Sequence, residues 1–255
     1  MDGPSFGDAQ FNEDGVNIRN NSMRVPLILV IDRSGSMAAT GDIHSVNDAM
    51  MRVESFFQDP GTDEKVRVAV EVAIVSFGDN VLTHDLNSGG SATTSADSTA
   101  FVEARYFKAP VFVANGMTPM GEAMRTAMRI ADDRSRAIGA MGLPRKRPII
   151  WLMSDGEATD NGWKDAAADA KEWQRKGKGF VRVLASGEEA QMQATRNALK
   201  EFTIVDGPVP KLKDANFSGL IEFVTRMVSD QAIEANGGPA APSVNQAVAD
   251  YLDFS

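Results

Sequence analysis

Five oxygen-bearing side chains stand out, because each lies next to a predicted element that would bring it to one edge of a sheet. They are Asp32, Ser34, Ser36, Thr118 and Asp155. The first three follow the apolar run 25–31, Thr118 precedes a helical pattern, and the last follows the apolar run 147–153. Two carboxylates and three hydroxyls supply the oxygen ligands that Mg²⁺ prefers. Because hydroxyls do not neutralise the ion, it would still attract one more acidic group.

The predicted elements alternate between strands and helices along the chain. Apolar runs predict strands at 25–31, 65–77, 147–153, 180–185 and 203–205, with 81–86 as a hairpin partner of the second. Helical periodicity predicts helices at 43–57, from Pro119 onward, and at 163–176, 188–202 and 217–235. This alternation predicts an α/β fold with a central, mostly parallel sheet, one antiparallel edge strand and helices on both faces. Ligands of such sheets bind beyond the carboxyl ends of the strands, where Asp32 and Asp155 are expected.

The chain divides into three predicted segments. Residues 1–24 form a polar N-terminal extension, residues 25–236 form the domain, and residues 237–255 form a flexible linker with a short tail. The apolar side chains of the tail are Val248, Tyr251, Leu252 and Phe254. Either this tail anchors in a groove of another protein, with Asp250 or Asp253 reaching a neighbouring molecule's metal, or it is a frayed terminus.

The segment Asp32-Arg33-Ser34-Gly35-Ser36 resembles the von Willebrand factor A (vWA) family, whose metal-ion-dependent adhesion site uses an Asp-x-Ser-x-Ser motif. The family's distant Thr and distant Asp match Thr118, in Gly-Met-Thr-Pro, and Asp155, in Ser-Asp-Gly-Glu. The local sequence around these two residues most resembles the bacterial TerY-like subgroup, which is associated with tellurite-resistance gene clusters. The resemblance covers about residues 24–235 and implies the Rossmann-like vWA fold.

The resemblance also implies how the site would work. By resemblance to the family, the hydroxyls of Ser34, Ser36 and Thr118 are expected to bind Mg²⁺ directly or nearly so. The carboxylates at the positions of Asp32 and Asp155 often act through water in the family. An acidic residue of a protein partner then completes the shell, and Mn²⁺ or Ca²⁺ are alternatives to Mg²⁺. TerY-like proteins are often encoded beside a kinase and a phosphatase, so the resemblance implies an adaptor in a stress-response system.

The composition limits the classes of partner. The formal net charge is −9, which disfavours nucleic acids and anionic membranes as partners. The absence of cysteine excludes disulfides, thiolate zinc sites and cysteine nucleophiles. The first thirty residues do not resemble a signal peptide, and no apolar run is long enough for a membrane span. A cytoplasmic location is therefore predicted.

Catalysis is the main alternative to binding. An Asp at a strand end with Mg²⁺ resembles haloacid-dehalogenase phosphatases, but these have a second Asp where this chain has Ser34, which cannot act as acid or base at neutral pH. The sequence has neither a Gly-x-Ser-x-Gly elbow nor a phosphate-binding glycine loop. His44 and His84 follow no catalytic motif and are expected to be surface residues. The prediction is a protein that is not an enzyme, with a Mg²⁺-dependent phosphatase-like hydrolase as the alternative.

Four neighbours of the five residues could contribute to the site, and three of them have a second, structural interpretation. Arg33 either steers an acidic ligand or, as we favour, is a solvated surface residue. Met117 stands where the subgroup has a second glycine and could form an apolar rim for a partner. Glu157 and Asp160 either support the site by hydrogen bonds or cap the helix predicted from residue 163.

Overall fold

The computed structural model describes residues 23–62, 64–87, 91–93, 100–186, 189–212 and 252–253. Several predicted features lie outside these residues: nearly all of the N-terminal extension, the helix at 217–235, the linker, and most of the tail. The division of the chain into extension, domain and tail therefore stays a prediction.

The described elements alternate largely as the sequence predicts. The strands are β1 (Val25–Asp32), β2 (Val70–Phe77), β3 (Val81–Asp85), β4 (Ser91–Thr93), β5 (Val102–Glu103), β6 (Ile149–Ser154), β7 (Phe180–Ala185), β8 (Lys211–Leu212) and β9 (Leu252–Asp253). The helices are α1 (Gly35–Ala39), α2 (Asp42–Gln58), α3 (Glu64–Ala69), α4 (Met120–Ala140), α5 (Trp163–Arg175) and α6 (Glu189–Lys200). Among the described residues, no helix combines the length and the apolar character that crossing a membrane requires.

The sheet confirms the predicted fold class. Its strand order is β4-β3-β2-β1-β6-β7-β8-β9, and β5 pairs with β2. The central strands β2, β1, β6, β7 and β8 run parallel, and β3 runs antiparallel to β2 as the hairpin prediction requires. The short strands β5 and β9 also run antiparallel to their neighbours.

The side chains of the central strand β1 are buried on both faces of the sheet, each of which is covered by helices. Every residue of β1 is buried, so its alternate side chains enter two different clusters. Leu27, Leu29 and Ile31 pack with the apolar side of α2 on one face, and Ile28 and Val30 pack with α4 on the other. Burying an aliphatic side chain of this size contributes about 1.5–3 kcal/mol, so this arrangement fixes the position of the strand end that carries Asp32.

Two predicted strand segments are not strands. Residues 65–69 belong to α3, where Arg67 donates to the carbonyl of Phe57 at 2.8 Å and to Glu64 at 3.0 Å, one helical turn away. Residues 203–205 form no ladder, because the hydroxyl of Thr203 bonds the carbonyl of Val181 at 2.9 Å in place of a backbone amide. Side-chain hydrogen bonds accompany both conformations, and the apolar pattern does not contain that information.

Candidate metal site at the carboxyl edge of the sheet

Asp32 ends β1 and is almost completely buried, with 1% of its surface exposed. Its Oδ1 accepts a hydrogen bond from the amide of Ser34 at 2.7 Å, and its Oδ2 accepts one from the hydroxyl of Ser154 at 2.5 Å. The parallel pairing of Ile31 with Met153 brings Ser154 level with Asp32. Each carboxylate oxygen keeps a lone pair, which can accept from a water molecule on a metal ion.

The other carboxylate, that of Asp155, is linked through Ser36 to Ser34 by hydrogen bonds. The hydroxyls of Ser34 and Ser36 are 3.0 Å apart, and the hydroxyl of Ser36 donates to Oδ1 of Asp155 at 2.8 Å. Asp155 directly follows β6, and its carbonyl accepts a hydrogen bond from Thr195 of α6 at 3.1 Å. Three of the predicted oxygens therefore form one continuous chain.

The loop of Thr118 adjoins the other two loops. The amide of Gly35 donates to the carbonyl of Gly116 at 3.0 Å, which ties the serine loop to the loop before α4. Thr118 and Thr159 exchange two hydrogen bonds, from Thr118 N to Thr159 Oγ1 at 2.9 Å and from Thr159 N to Thr118 O at 3.0 Å. A Cβ at Gly156 would lie 3.9 Å from Oγ1 of Thr118, so this hydroxyl faces the residue after Asp155.

The spacing of these oxygens fits a small, hard cation. Neighbouring ligands in an octahedron around Mg²⁺ are about 2.9 Å apart, given metal–oxygen distances of about 2.0–2.1 Å. The hydroxyls of Ser34 and Ser36 are 3.0 Å apart, and the Ser36 hydroxyl lies 2.8 Å from Asp155. These are ordinary hydrogen-bond distances, and they are also compatible with neighbouring positions of such an octahedron. Within the described residues, no group of three or more His, Asp or Glu has the arrangement of a metal centre. The candidate site therefore depends on hydroxyl oxygens, which suit Mg²⁺ or Mn²⁺ better than a soft metal.

The electrostatics of the site favour a cation. Burial raises the pKa of Asp32 to about 6, despite the hydrogen bonds from Ser154 and Ser34. Burial is also the main reason that the pKa of Asp155 is raised, and the negative charge of Asp42 adds to the shift. Asp42 is itself buried at the start of α2, and its Oδ2 has no hydrogen-bond partner among the described residues. A divalent ion would stabilise the ionised carboxylates of Asp32 and Asp155 together.

The structure decides most of the open interpretations of the neighbours. Arg33 is not a solvated surface residue: it is 9% exposed, and its guanidinium donates to the hydroxyl of Ser76 at 3.2 Å and the carbonyl of Asn80 at 3.0 Å. Asp160 caps α4 and not the helix from residue 163, because its two oxygens accept from the amides of Gly121 and Glu122, each at 3.2 Å. Glu157 is exposed.

The two histidines differ in their surroundings. His44 is exposed, as predicted. The surface prediction for His84 is wrong, because only 4% of it is exposed and its Nε2 lies 2.7 Å from the hydroxyl of Ser76. The ring of Phe112 covers it edge-on, with the ring centroids 5.2 Å apart.

The buried His84 predicts a loss of stability in acid. Burial, assisted by the charge of Arg33, lowers the pKa of His84 from 6.5 to about 4. Between these two values the unfolded chain binds a proton that the folded chain excludes, so stability falls as pH falls through this window. The full effect is about 3 kcal/mol. Urea unfolding at about pH 7 and about pH 4.5 should show a steeper loss for the wild type than for His84→Gln. An identical loss of stability between the two pH values in both proteins would contradict the assignment. The pKa of Asp32 is shifted in the opposite direction, but both proteins contain Asp32, so its contribution cancels in the comparison.

Three residues of the site were not predicted from the sequence. Ser154 donates a hydrogen bond to Asp32, and Thr159 accepts one from the amide of Thr118. The negative charge of Asp42 acts on Asp155 and contributes to its raised pKa. Ser154 directly precedes Asp155, and Thr159 belongs to the same short segment after β6, so proximity in sequence was an available signal for both. Asp42 offered no such signal, because an acidic residue at the start of a helix is common.

Comparison with known proteins supports the fold but gives no family assignment. No family model matches the sequence. No curated protein matches it either. Among solved structures, the pilus adhesin SpaC from Lactobacillus rhamnosus GG has a TM-score of 0.54 at 13% identity, over 83% of this chain and 32% of that chain. The human COPII-coat protein Sec24c has a TM-score of 0.52 at 12% identity, over 82% of this chain and 33% of that chain.

The matched structures also include one described as the SpRpn10 VWA domain. Its TM-score is 0.39 at 17% identity, over 69% of this chain and 82% of that domain. The chain spans about half the length, or less, of the first matched proteins. At these identities the likeness shows the α/β fold alone.

Proposed function

We propose that this chain is a vWA-type adaptor that holds Mg²⁺ at Asp32, Ser34, Ser36, Thr118 and Asp155 and uses the ion to bind an acidic group of a partner protein. The observation that carries the proposal is the chain of oxygens from Ser34 through Ser36 to Asp155, at spacings of 3.0 and 2.8 Å. Mn²⁺ and Ca²⁺ remain alternatives. The role in a tellurite or stress-response system is proposed only from the resemblance to the TerY-like subgroup, and the cytoplasmic location is proposed only from the sequence.

The charge of the site explains why a partner would be acidic. Two carboxylates only just balance a divalent ion, and both of them are already hydrogen-bonded within the protein. The three hydroxyls leave the charge on the ion unchanged. An incoming carboxylate would therefore gain a direct bond to a cation whose nearest protein ligands are neutral.

The segment that leads to Thr118 carries three exposed apolar residues, Val111, Val113 and Met117, which we call the apolar rim. Their exposed fractions are 76%, 73% and 64%. The side chain of Asn47 fixes the segment between them, accepting from the amide of Phe112 at 2.8 Å and donating to its carbonyl at 2.9 Å. Phe112 is consequently buried while both valines point outward. We therefore propose a partner segment with an acidic residue flanked by aliphatic side chains.

Capture of the partner tests this function. The tagged chain should retain a protein from an extract of cells that naturally produce it when Mg²⁺ is present, and lose it when EDTA is added. Ser36→Ala should lose the same protein, while Ser55→Ala, an exposed serine on α2, should retain it. Retention that depends on neither chelator nor Ser36 would contradict the proposal.

The apolar rim gives a separate prediction. Val111→Ser with Val113→Ser should weaken binding of the captured partner about tenfold, because each exposed valine loses apolar contact area. Affinity for Mg²⁺ should be unchanged, as measured by calorimetry on the isolated protein. The matched control is Met51→Ser with Met141→Ser, which removes two side chains of 56% and 55% exposure elsewhere. Equal effects of the two pairs would contradict a specific rim.

The phosphatase-like alternative has less support from the geometry. Both oxygens of Asp32 accept hydrogen bonds inside the protein, which leaves the carboxylate poorly placed as a nucleophile. His84 contacts Ser76 within the sheet and is not a base for the site. Turnover of a phosphate ester that Asp32→Asn abolishes would favour the alternative. A tail-mediated scaffold rests on residues that are mostly outside the described part of the chain.

A further inference from the structure

A second candidate site lies at the opposite edge of the sheet, where β6 and β7 begin. A cavity of about 690 Å³ opens there between the loop before β6 and the turn before β7. Its basic lining residues are Arg136, Arg145, Lys146, Arg147 and Lys178. Asp132 is the single acidic residue among those that line it. This concentration of positive charge is unexpected in a chain with a net charge of −9.

Three of these positive charges have no neutralising carboxylate among the described residues. Lys178 pairs with Asp132 at 2.7 Å, and Arg136 pairs with Asp133. Arg145, Lys146 and Arg147 form no ion pair with any residue in the part of the chain that the structure describes. Three neighbouring like charges repel one another, and a bound anion would relieve that repulsion.

The loop that carries these charges is held in place by its backbone. The backbone amide of Arg24 donates to the carbonyl of Pro144 at 2.9 Å, and the backbone amide of Lys146 donates to the carbonyl of Arg24 at 2.8 Å. These two bonds form a parallel β-bridge between Arg24 and Arg145, directly before β1. The amide of Phe180 bonds the carbonyl of Pro148 at 2.9 Å, so the end of the loop is tied to β7. The cationic side chains are thus presented by a fixed backbone, which lowers the entropic cost of binding a ligand.

One residue that lines the cavity has a buried polar atom without a partner among the described residues. The hydroxyl oxygen of Ser135, a lining residue from α4, is buried and has no hydrogen-bond partner among the described residues. A hydroxyl can donate to an anionic oxygen. The guanidinium of Arg147 lies 4.2 Å from the centroid of the Phe180 ring, so this aromatic face is already covered and does not offer a stacking surface for a base.

We propose that this cavity binds a small anion carrying two or more phosphate groups. An excess of three positive charges matches an oligophosphate better than a single carboxylate, and guanidinium groups match phosphate oxygens in geometry. The cavity volume lies within the range of small-molecule sites. A long nucleic acid is disfavoured, because this group of basic residues is local and the chain as a whole carries a net charge of −9.

Calorimetry with inorganic pyrophosphate tests the proposal, at low ionic strength and without divalent cations, so that no metal at the other edge of the sheet takes part. The wild type should bind, and Arg145→Gln with Lys146→Gln should bind at least about tenfold more weakly. The matched control is Arg52→Gln with Lys164→Gln, which removes the same charges from residues that do not line the cavity. The control and Asp32→Asn should both keep wild-type affinity within about twofold.

Three outcomes would overturn the proposal. The first is that the wild type fails to bind pyrophosphate. The second is that the double substitution of Arg145 and Lys146 weakens binding no more than the control double substitution, which would indicate unspecific charge attraction. The third is that a single-stranded oligonucleotide binds more tightly than pyrophosphate and displaces it, which would assign the surface to nucleic acid. Matching unfolding midpoints of the two variants in urea exclude a loss of fold as the cause of a difference.

Discussion

Asp32→Asn should lower the affinity for Mg²⁺ by about 100-fold, the upper end of what loss of a water-mediated or supporting carboxylate costs a metal site. The substitution removes one of the two negative charges that the site provides, yet it nearly preserves the shape of the side chain. The amide oxygen can still accept from Ser34, and Ser154 can reverse its hydroxyl to accept from the new amide. Titration calorimetry with Mg²⁺ measures the difference directly.

The same variant should be more stable than the wild type when no metal is present. Burial raises the pKa of Asp32 from 3.8 to about 6, so the ionised form is penalised in the folded state above that pH. Removing the charge removes a penalty of about 3 kcal/mol near neutral pH. Asp48→Asn, an exposed aspartate on α2, is the matched control and should change neither quantity. Unchanged Mg²⁺ affinity in Asp32→Asn would contradict the assignment of Asp32 to the site.

Gly116→Ala should be among the most destabilising single substitutions near the site. Gly116 has a φ of +82°, and a Cβ built there would lie 2.6 Å from the Cα of Asp79. The left-handed conformation costs an alanine about 1 kcal/mol, and the collision with backbone adds about 1–3 kcal/mol. Since the carbonyl of Gly116 receives the hydrogen bond from Gly35, the substitution should also disturb the serine loop and weaken Mg²⁺ binding.

Gly142→Ala separates the two causes of this loss. Gly142 has a comparable φ of +70°, but nothing lies within 4 Å of the Cβ that would be added. This variant should lose only about 1 kcal/mol and keep the Mg²⁺ affinity of the wild type. Urea unfolding of both variants gives the comparison. Equal losses of stability would show that the close approach between Gly116 and Asp79 has no energetic consequence.

The fold was predictable where burial alone determines the structure. β1 is apolar at every position before Asp32 because helices cover both faces of the sheet, and this leaves a continuous apolar run in the sequence. β7 occupies residues 180–185 as predicted, although Arg182 interrupts its apolar run and is only partly buried. The segment 65–69 has similar apolar residues but is helical, and Arg67 there hydrogen-bonds Phe57 and Glu64.

The site was predictable at the level of residue types at strand ends, and less so for their orientation. Arg33 turns inward because Ser76 and Asn80 on the neighbouring strand and turn accept its hydrogen bonds. His84 is buried because Phe112, far away in sequence, covers it. Both facts depend on contacts between distant segments, and neither leaves a local pattern in the sequence.

Anomalous diffraction from crystals grown with Mn²⁺ tests the central claim most directly, because Mn²⁺ occupies sites of this chemistry and can be located without assumptions about the ligands. The account predicts a single strong peak within about 2.5 Å of the hydroxyl oxygens of Ser34, Ser36 and Thr118, with Asp32 and Asp155 close behind them. A peak elsewhere with none at these hydroxyls, or no peak at all at saturating Mn²⁺, would contradict it.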